Sequence, residues 1–364
     1  MGWLGIARSE TLAESSGRFL TRQMVWSVLA LVVMLLATTF NYRLLTRWSY
    51  VALGLSLGLL ALVFFFPAVN GSHRWLRIGP VGFQPSEFAK LAAVLALARY
   101  LMYRENFRRL QGLLIPLAVM MAPVLLILRE PDLGTSVVFL PVTMLMLFAA
   151  GARRRDLAVV CLAGVLTMPV LWTQMSREQK SRVTAMFEDT TPGSRPSDDA
   201  YHLYQSKQML AQGGWWGTSN HEEANADLGS LAVPAAHTDS ILVVLGERYG
   251  LSGVAGLMLL YVLLIARSLA IAASTREPFG RLVAVGVTAL LGVPVVINAA
   301  MLVGLLPITG LSLPLVSYGG SGLIVQGLGL GLLLNIGLRP GYELAKAPFR
   351  FEEQRDATST SRAD

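Results

Sequence analysis

Between Trp26 and Phe40, and again between Val51 and Phe66, the chain has no Asp, Glu, Lys or Arg. Apolar runs approaching about 18 residues, bounded by polar flanks, read as helices that cross a bilayer. Hydrocarbon offers no partner to a backbone amide, so the chain must satisfy its own hydrogen bonds there. Composition agrees: 15% of the 364 residues are charged and 54% are hydrophobic, whereas soluble domains carry about 25% charged residues. The expected fold is an all-α polytopic membrane protein. Nine spans can be drawn, at Gln23–Phe40, Trp48–Phe66, Phe88–Met102, Leu110–Leu128, Gly134–Ala150, Leu157–Trp172, Ile241–Ile265, Leu282–Val303 and Gly319–Leu338.

Basic residues set the orientation. Arg43 and Arg47, then Arg99, Arg104, Arg108 and Arg109, then Arg153 to Arg155, then Arg267, Arg276 and Arg281, then Arg339, Lys346 and Arg350 fall in alternate loops. Short arginine-rich loops stay cytoplasmic. The long segment from Met175 to Thr238 falls on the opposite face, with five basic and eight acidic residues. The C-terminus is therefore expected inside, and the 175–238 loop and residues 1–22 outside. The transmembrane domain spans 23–338, and 339–364 form a basic, polar cytoplasmic tail expected to be disordered. The net charge of +7 follows from the loop arginines and gives no reason to invoke nucleic acid. The single cysteine, Cys161, excludes a disulfide framework within the chain. The apolar patch at Gly2 to Ala7 is too short for a signal-peptide core.

Four polar constellations lie at span ends on the outer face. In Gln84-Pro85-Ser86-Glu87-Phe88-Ala89-Lys90, Glu87 and Lys90 are three apart at a helix start and share a face. They either neutralise each other for entry into the membrane or line a polar cavity, since intramembrane charges are costly. In Arg129-Glu130-Pro131-Asp132, Pro131 ends one helix and Asp132 can cap the next. Asp239, in His237-Thr238-Asp239-Ser240, can be a helix cap or a general base, because partial burial raises a carboxyl pKa towards useful values. His237 alone is weak evidence for a metal. In Ser317-Tyr318-Gly319-Gly320-Ser321, the paired glycines allow close approach of a helix, or of phosphate oxygens to free N–H groups. The tryptophans of Gly213-Gly214-Trp215-Trp216-Gly217 suit a membrane interface. No P-loop, dinucleotide fingerprint or metalloprotease motif is present.

Six ordered segments together resemble the SEDS family (shape, elongation, division and sporulation), and most closely its elongation-type, RodA-like members. They are Gly71-Ser72-His73-Arg74-Trp75-Leu76, Gln84 to Lys90, Pro131-Asp132-Leu133-Gly134-Thr135, Tyr204-Gln205-Ser206-Lys207, Pro234-Ala235-Ala236-His237-Thr238-Asp239 and Leu313 to Ser321. The resemblance covers about Arg22 to Leu338. It implies a peptidoglycan glycosyltransferase that polymerises lipid II, the undecaprenyl-pyrophosphate-linked disaccharide-pentapeptide, at the outer face of the bacterial plasma membrane. The partner it implies is a class B penicillin-binding protein. It makes Asp239 the catalytic base in a single inverting displacement. Arg74, Lys90 and Lys207 would stabilise the departing pyrophosphate. Glu87, Asp132, His237, Thr238, Ser317, Tyr318 and Ser321 would complete the substrate site. No cofactor is required, though a divalent cation such as Mg²⁺ or Mn²⁺ can share the charge.

Three departures from the family pattern stand out. Family members usually have ten spans with both termini inside, so the first is expected to be absent here. After Gly217 the loop reads Thr218-Ser219-Asn220-His221-Glu222-Glu223 instead of a glycine-lysine-glycine turn. Ala235 stands where relatives often have Glu, and Ser240-Ile241-Leu242 replaces a Phe-Ile-Phe-like stretch. Two other readings remain open on the sequence: a lipid II flippase, and a silent scaffold for the penicillin-binding protein.

Overall fold

A computed structural model describes residues 2–12, 18–67, 73–78, 81–103, 110–130, 132–188, 198–218 and 237–339. Gly71, Ser72, Arg104, Arg108, Arg109, Pro131, Arg195, Ser219 to Glu223, Pro234 to Ala236 and the 340–364 tail, with Lys346 and Arg350, lie outside the described residues.

The described chain is helical, with one small hairpin. Its elements are α1 (Gly2–Leu12), α2 (Arg18–Thr39), α3 (Arg43–Val63), β1 (Leu76–Ile78), β2 (Val81–Phe83), α4 (Pro85–Met102), α5 (Leu114–Arg129), α6 (Leu133–Ala150), α7 (Arg154–Gln174), α8 (Arg177–Thr184), α9 (Asp198–Gly213), α10 (Ile241–Ser274), α11 (Pro278–Leu302) and α12 (Gly320–Leu338). Each of the nine expected spans falls on a helix. Seven are long and apolar enough to cross a membrane by length and composition, with α5 counted from its leading 3₁₀ turn at Leu110. The other two, α4 and α7, carry Glu87, Lys90 and Arg99, and Arg154, Arg155 and Asp156, respectively. The hairpin, antiparallel with Leu76 opposite Phe83, was not expected; it joins α3 to α4.

Burial separates core from lipid face. Every residue of α4 from Leu91 to Ala98 is buried, as expected of a helix that is apolar all round at the centre of a bundle. It packs on α3, α5 and α11. By contrast Leu55, Leu166, Met168 and Leu259 are exposed, and such apolar surface needs a lipid solvent. α2 and α12 meet along a glycine seam. A side chain on Gly327 would come within 2.6 Å of the Ala30 carbonyl oxygen, and one on Gly331 within 2.4 Å of that of Met34. Small residues four apart let helix backbones approach this closely in membranes.

One expectation needs correcting. The span expected to open at Ile241 is broken: Gly250 has φ 68° and ψ −168° inside α10. Residues 241–249 form a separate short helix with Ile241 to Glu247 all buried, and the lipid-crossing part starts at Leu251. The charged Glu247-Arg248 pair just before Gly250 is the sequence signal of this break, and the expected span runs through it. The Gly213–Gly217 turn answers the kink: Leu251 N–H donates to the Gly214 carbonyl at 2.8 Å and Ser252 N–H to that of Trp215 at 3.1 Å. A helix start needs such outside partners for its amides. Side chains on Gly213, Gly217 or Gly250 would each strike facing backbone within 2.4 Å. The described part of the long loop also contains two helices, α8 and α9, which its polarity does not suggest.

α1 lies against the short first part of α10. Arg8 Nη2 pairs with Glu247 Oε1 at 3.0 Å, and Glu247 is fully buried. Glu247 also accepts from the Thr218 hydroxyl.

Candidate active site

A cavity of about 200 Å³ opens between the first turns of α4 and α6, the 237–240 turn and the segment leading into α12. Local chemistry places each polar wall. Pro85 occupies the first turn of α4, where its missing N–H costs nothing. Glu87 follows in the same turn, and Lys90 Nζ meets its Oε1 at 2.7 Å with both side chains mostly buried. Both sequence readings of this pair hold: it is self-neutralised, and it lines the cavity. Asp132 caps α6, its Oδ1 accepting from Thr135 N–H at 3.1 Å and its Oδ2 from the Thr135 hydroxyl at 2.9 Å. Its Oδ2 is also 3.5 Å from Gln84 Nε2. Asp132 is thus cap and wall together.

Asp239 lies in the turn before the buried part of α10. Asn298 of α11 fixes that turn by donating one amide nitrogen to the Asp239 carbonyl oxygen at 2.8 Å and to that of Leu311 at 2.7 Å. Burial pushes the Asp239 carboxyl up to about 6, and nearby Asp132 adds to the rise; Arg182, Arg74 and a hydrogen bond from Thr238 oppose it. Such a carboxylate is ionised at neutral pH yet more basic than an exposed one.

The cavity gathers Arg74, Glu87, Lys90, Asp132, Thr238, Asp239, Tyr318 and Ser321. Three expected site residues are elsewhere. Lys207, on α9, is exposed, and its Nζ would lie 2.7 Å from a side chain on Gly304, away from the cavity. His237 stacks on Phe19, ring centroids 4.5 Å apart, and meets Tyr318 edge-on. Burial lowers its pKa against the pull of Glu10, which favours a neutral packing ring. Ser317 is a brace: its hydroxyl donates to the Thr238 carbonyl at 2.6 Å and accepts from Leu313 N–H at 2.8 Å.

Three N–H groups of the segment expected to hold phosphate are already engaged. Ser317 donates to the Leu313 carbonyl and Tyr318 to that of His237. Gly319 donates to Gln23 Oε1, 3.3 Å away. Gly320 serves helix packing, for a side chain there would lie 2.5 Å from the Trp26 ring.

Several contributors escaped sequence reasoning. Gln23, Asn298 and Gln326 are polar residues inside apolar spans, a signal that was available. Gln326 Oε1 accepts from the N–H of Leu315 at 2.7 Å, whose φ is +65°. Glu130 is fully buried, and neither carboxylate oxygen has a hydrogen-bond partner among the described residues. Burial raises it to about 8, with Asp132 adding and Arg74 opposing. Its carbonyl oxygen accepts from Arg74 Nε at 3.1 Å. Among the described residues no three His, Cys, Asp or Glu side chains cluster as a metal site.

A family model described as "Cell cycle protein", covering FtsW, RodA and SpoVE, matches residues 4–339. The chain belongs to this FtsW/RodA/SpoVE family. Within it, a probable peptidoglycan glycosyltransferase FtsW of Geobacter sulfurreducens is 36% identical over 331 residues, covering 88% of this chain and 86% of the relative. The peptidoglycan glycosyltransferase MrdB of Escherichia coli K12 is 37% identical over 310 residues, covering 85% and 82%. Among solved structures, one described as the structural coordination of polymerization and crosslinking by a peptidoglycan synthase complex aligns with TM-score 0.78 and 32% identity, covering 93% of this chain and 96% of that one. The rod shape determining protein RodA of Thermus thermophilus aligns with TM-score 0.68 and 31% identity, covering 93% and 94%. As an FtsW/RodA/SpoVE member, the chain is an integral membrane protein of polytopic helical fold.

Proposed function

We propose that this chain is an inverting peptidoglycan glycosyltransferase that polymerises lipid II, with Asp239 as general base. The observation that carries the reading is the meeting of a half-buried carboxylate with Arg74 and Lys90 around one cavity. Asp239 takes the proton of the acceptor sugar hydroxyl as its oxygen bonds to the donor's anomeric carbon. The bond from that carbon to the pyrophosphate oxygen breaks in the same step, and the pyrophosphate leaves with the electron pair. Arg74 and Lys90 face the charge that develops there. Glu87 holds Lys90 in place, and Thr238 steadies the base. Mg²⁺ or Mn²⁺ carried in with the pyrophosphate would add to this charge, and a chelator titration tests that contribution.

The chemistry belongs at the outer face of the bacterial plasma membrane, where the arginine pattern puts the 175–238 loop. A class B penicillin-binding protein is the partner that would cross-link the product; similarity to the synthase complex supports this. Similarity to MrdB and RodA supports a role in elongation and cell shape. A flippase would need charges along a path through both leaflets. The cavity's charged residues instead sit at the starts of α4, α6 and α10 and before β1, all on one face by that pattern.

The test is purified protein with lipid II, alone and with its partner, followed by gel analysis of glycan. Asp239→Ala should abolish polymer while still binding the partner. Undiminished polymer from that variant removes the mechanism.

A further inference from the structure

The long loop brings one side chain to Asp239 that none of the sequence motifs marks. α8 starts at a fixed point, because Ser176 and Gln179 form a reciprocal capping box just after α7. Arg182, in the last turn of α8, points back over the site. A side chain added to Gly310 would lie 3.4 Å from Asp239 Oδ2 and 3.7 Å from Arg182 Nη1. Guanidinium and carboxylate therefore meet beside one glycine, close but without a direct ion pair. Gly310 has φ +71°, a conformation that favours glycine, and its missing side chain leaves room beside both groups. Arg182 bonds directly to Glu178, one turn back, at 2.9 Å. That glutamate is 74% exposed while Arg182 is only 24% exposed. Pairing with a solvated carboxylate does not require the arginine to fold inward.

We propose that Arg182 is a positioning residue for Asp239, its charge beside Gly310 holding the base as the carboxylate that receives the proton of the attacking hydroxyl. This rests on Asp239 being the base. The groups that face Asp239 can be named wall by wall. Arg182 comes from α8, Arg74 from the segment before β1, Asp132 from the head of α6, and the Thr238 hydroxyl from the same turn. Glu87 and Lys90 of α4 line the same cavity but neutralise each other. Among these, Arg182 offsets burial more than any other group.

The sign of the effect follows. The base acts as a carboxylate, so activity falls as pH falls through its pKa. Removing Arg182 removes a stabilising charge and moves that acid limb to higher pH. A merely structural role lowers the activity plateau and leaves the limb where it was.

The experiment is lipid II polymerisation by the full chain with its transpeptidase partner, from pH 5 to pH 9. Arg182→Gln should raise the limb by about one unit. For a base near pH 6, that is roughly a fivefold loss at pH 6 and almost none at pH 8. Arg182→Lys should restore the limb close to wild type. Glu178→Gln, a change at an exposed site, removes the carboxylate competing for Arg182 and should lower the limb. It keeps the test available if Arg182→Gln cannot be purified. An unchanged limb in Arg182→Gln, or in Glu178→Gln where it stands in, overturns the proposal. Polymerisation by Asp239→Ala would instead overturn the base assignment itself, so the two failures are distinguishable.

Discussion

Glu130→Gln should stabilise the protein, and only above a definite pH. The Glu130 carboxyl is fully buried, has no hydrogen-bond partner among the described residues, and titrates at about 8 against an ordinary 4.5. Its folded pKa lies above its unfolded one, so the folded state binds the proton more tightly. Below about pH 4.5 both states are protonated and burial of this group carries no ionisation cost. As pH rises from there to about 8, the unfolded state ionises freely and the folded state does not, so stability declines; above 8 the loss is constant. At pH 7 the chain is about two and a half units into that window. At about 1.4 kcal/mol per unit, the cost is about 3.5 kcal/mol as an upper bound. Glutamine has the same shape and no charge to lose. It also keeps the backbone carbonyl that holds Arg74. Thermal unfolding in detergent, followed by tryptophan fluorescence from pH 5 to pH 9, reads the difference. The gap should be small near pH 5 and widen until the variant melts several degrees higher by pH 8. A gap that does not change with pH, or a variant that melts lower at pH 8, refutes the argument.

Other substitutions probe separate parts of the fold. Lys90→Met leaves Glu87 without its partner and should depress both polymerisation and melting temperature. Adding Glu87→Gln should recover melting temperature but not polymerisation, which a double-mutant cycle measures. Gly331→Leu forces a side chain against the Met34 carbonyl and should cost about 1–3 kcal/mol through the α2–α12 seam, read as lower melting temperature. Arg8→Met strands the buried Glu247 carboxylate and should cost about 3 kcal/mol, read as loss of monodisperse protein on gel filtration.

The spans were legible because charge is so expensive in hydrocarbon that its absence marks them. For the same reason Glu87, Lys90, Asp132 and Asp239 stood out at span ends, and the structure gathers all four around one cavity. What stayed hidden depends on which surfaces meet. The polar Glu247-Arg248 pair before Gly250 hints at a break in α10, but only the φ of Gly250 shows the turn the backbone takes there. Lys207 and Ser317 sit in motifs as suggestive as the others, yet one lies outside the cavity and the other braces backbone. Arg182 belongs to a polar loop in which no pattern distinguishes an inward arginine from a solvated one. Asn298 was marked by its chemistry alone, and only the fold reveals what its amide grips.

That amide has a consequence for how the site can breathe. Asn298 is wholly enclosed and ties two separate stretches of the outer rim, at Asp239 and Leu311, to the C-terminal end of α11. Prising those stretches apart would strand enclosed carbonyls, at about 1–3 kcal/mol each. The rim carrying the base therefore travels with α11 as one block. A bulky lipid-linked sugar entering the cavity is expected to displace other walls before this one.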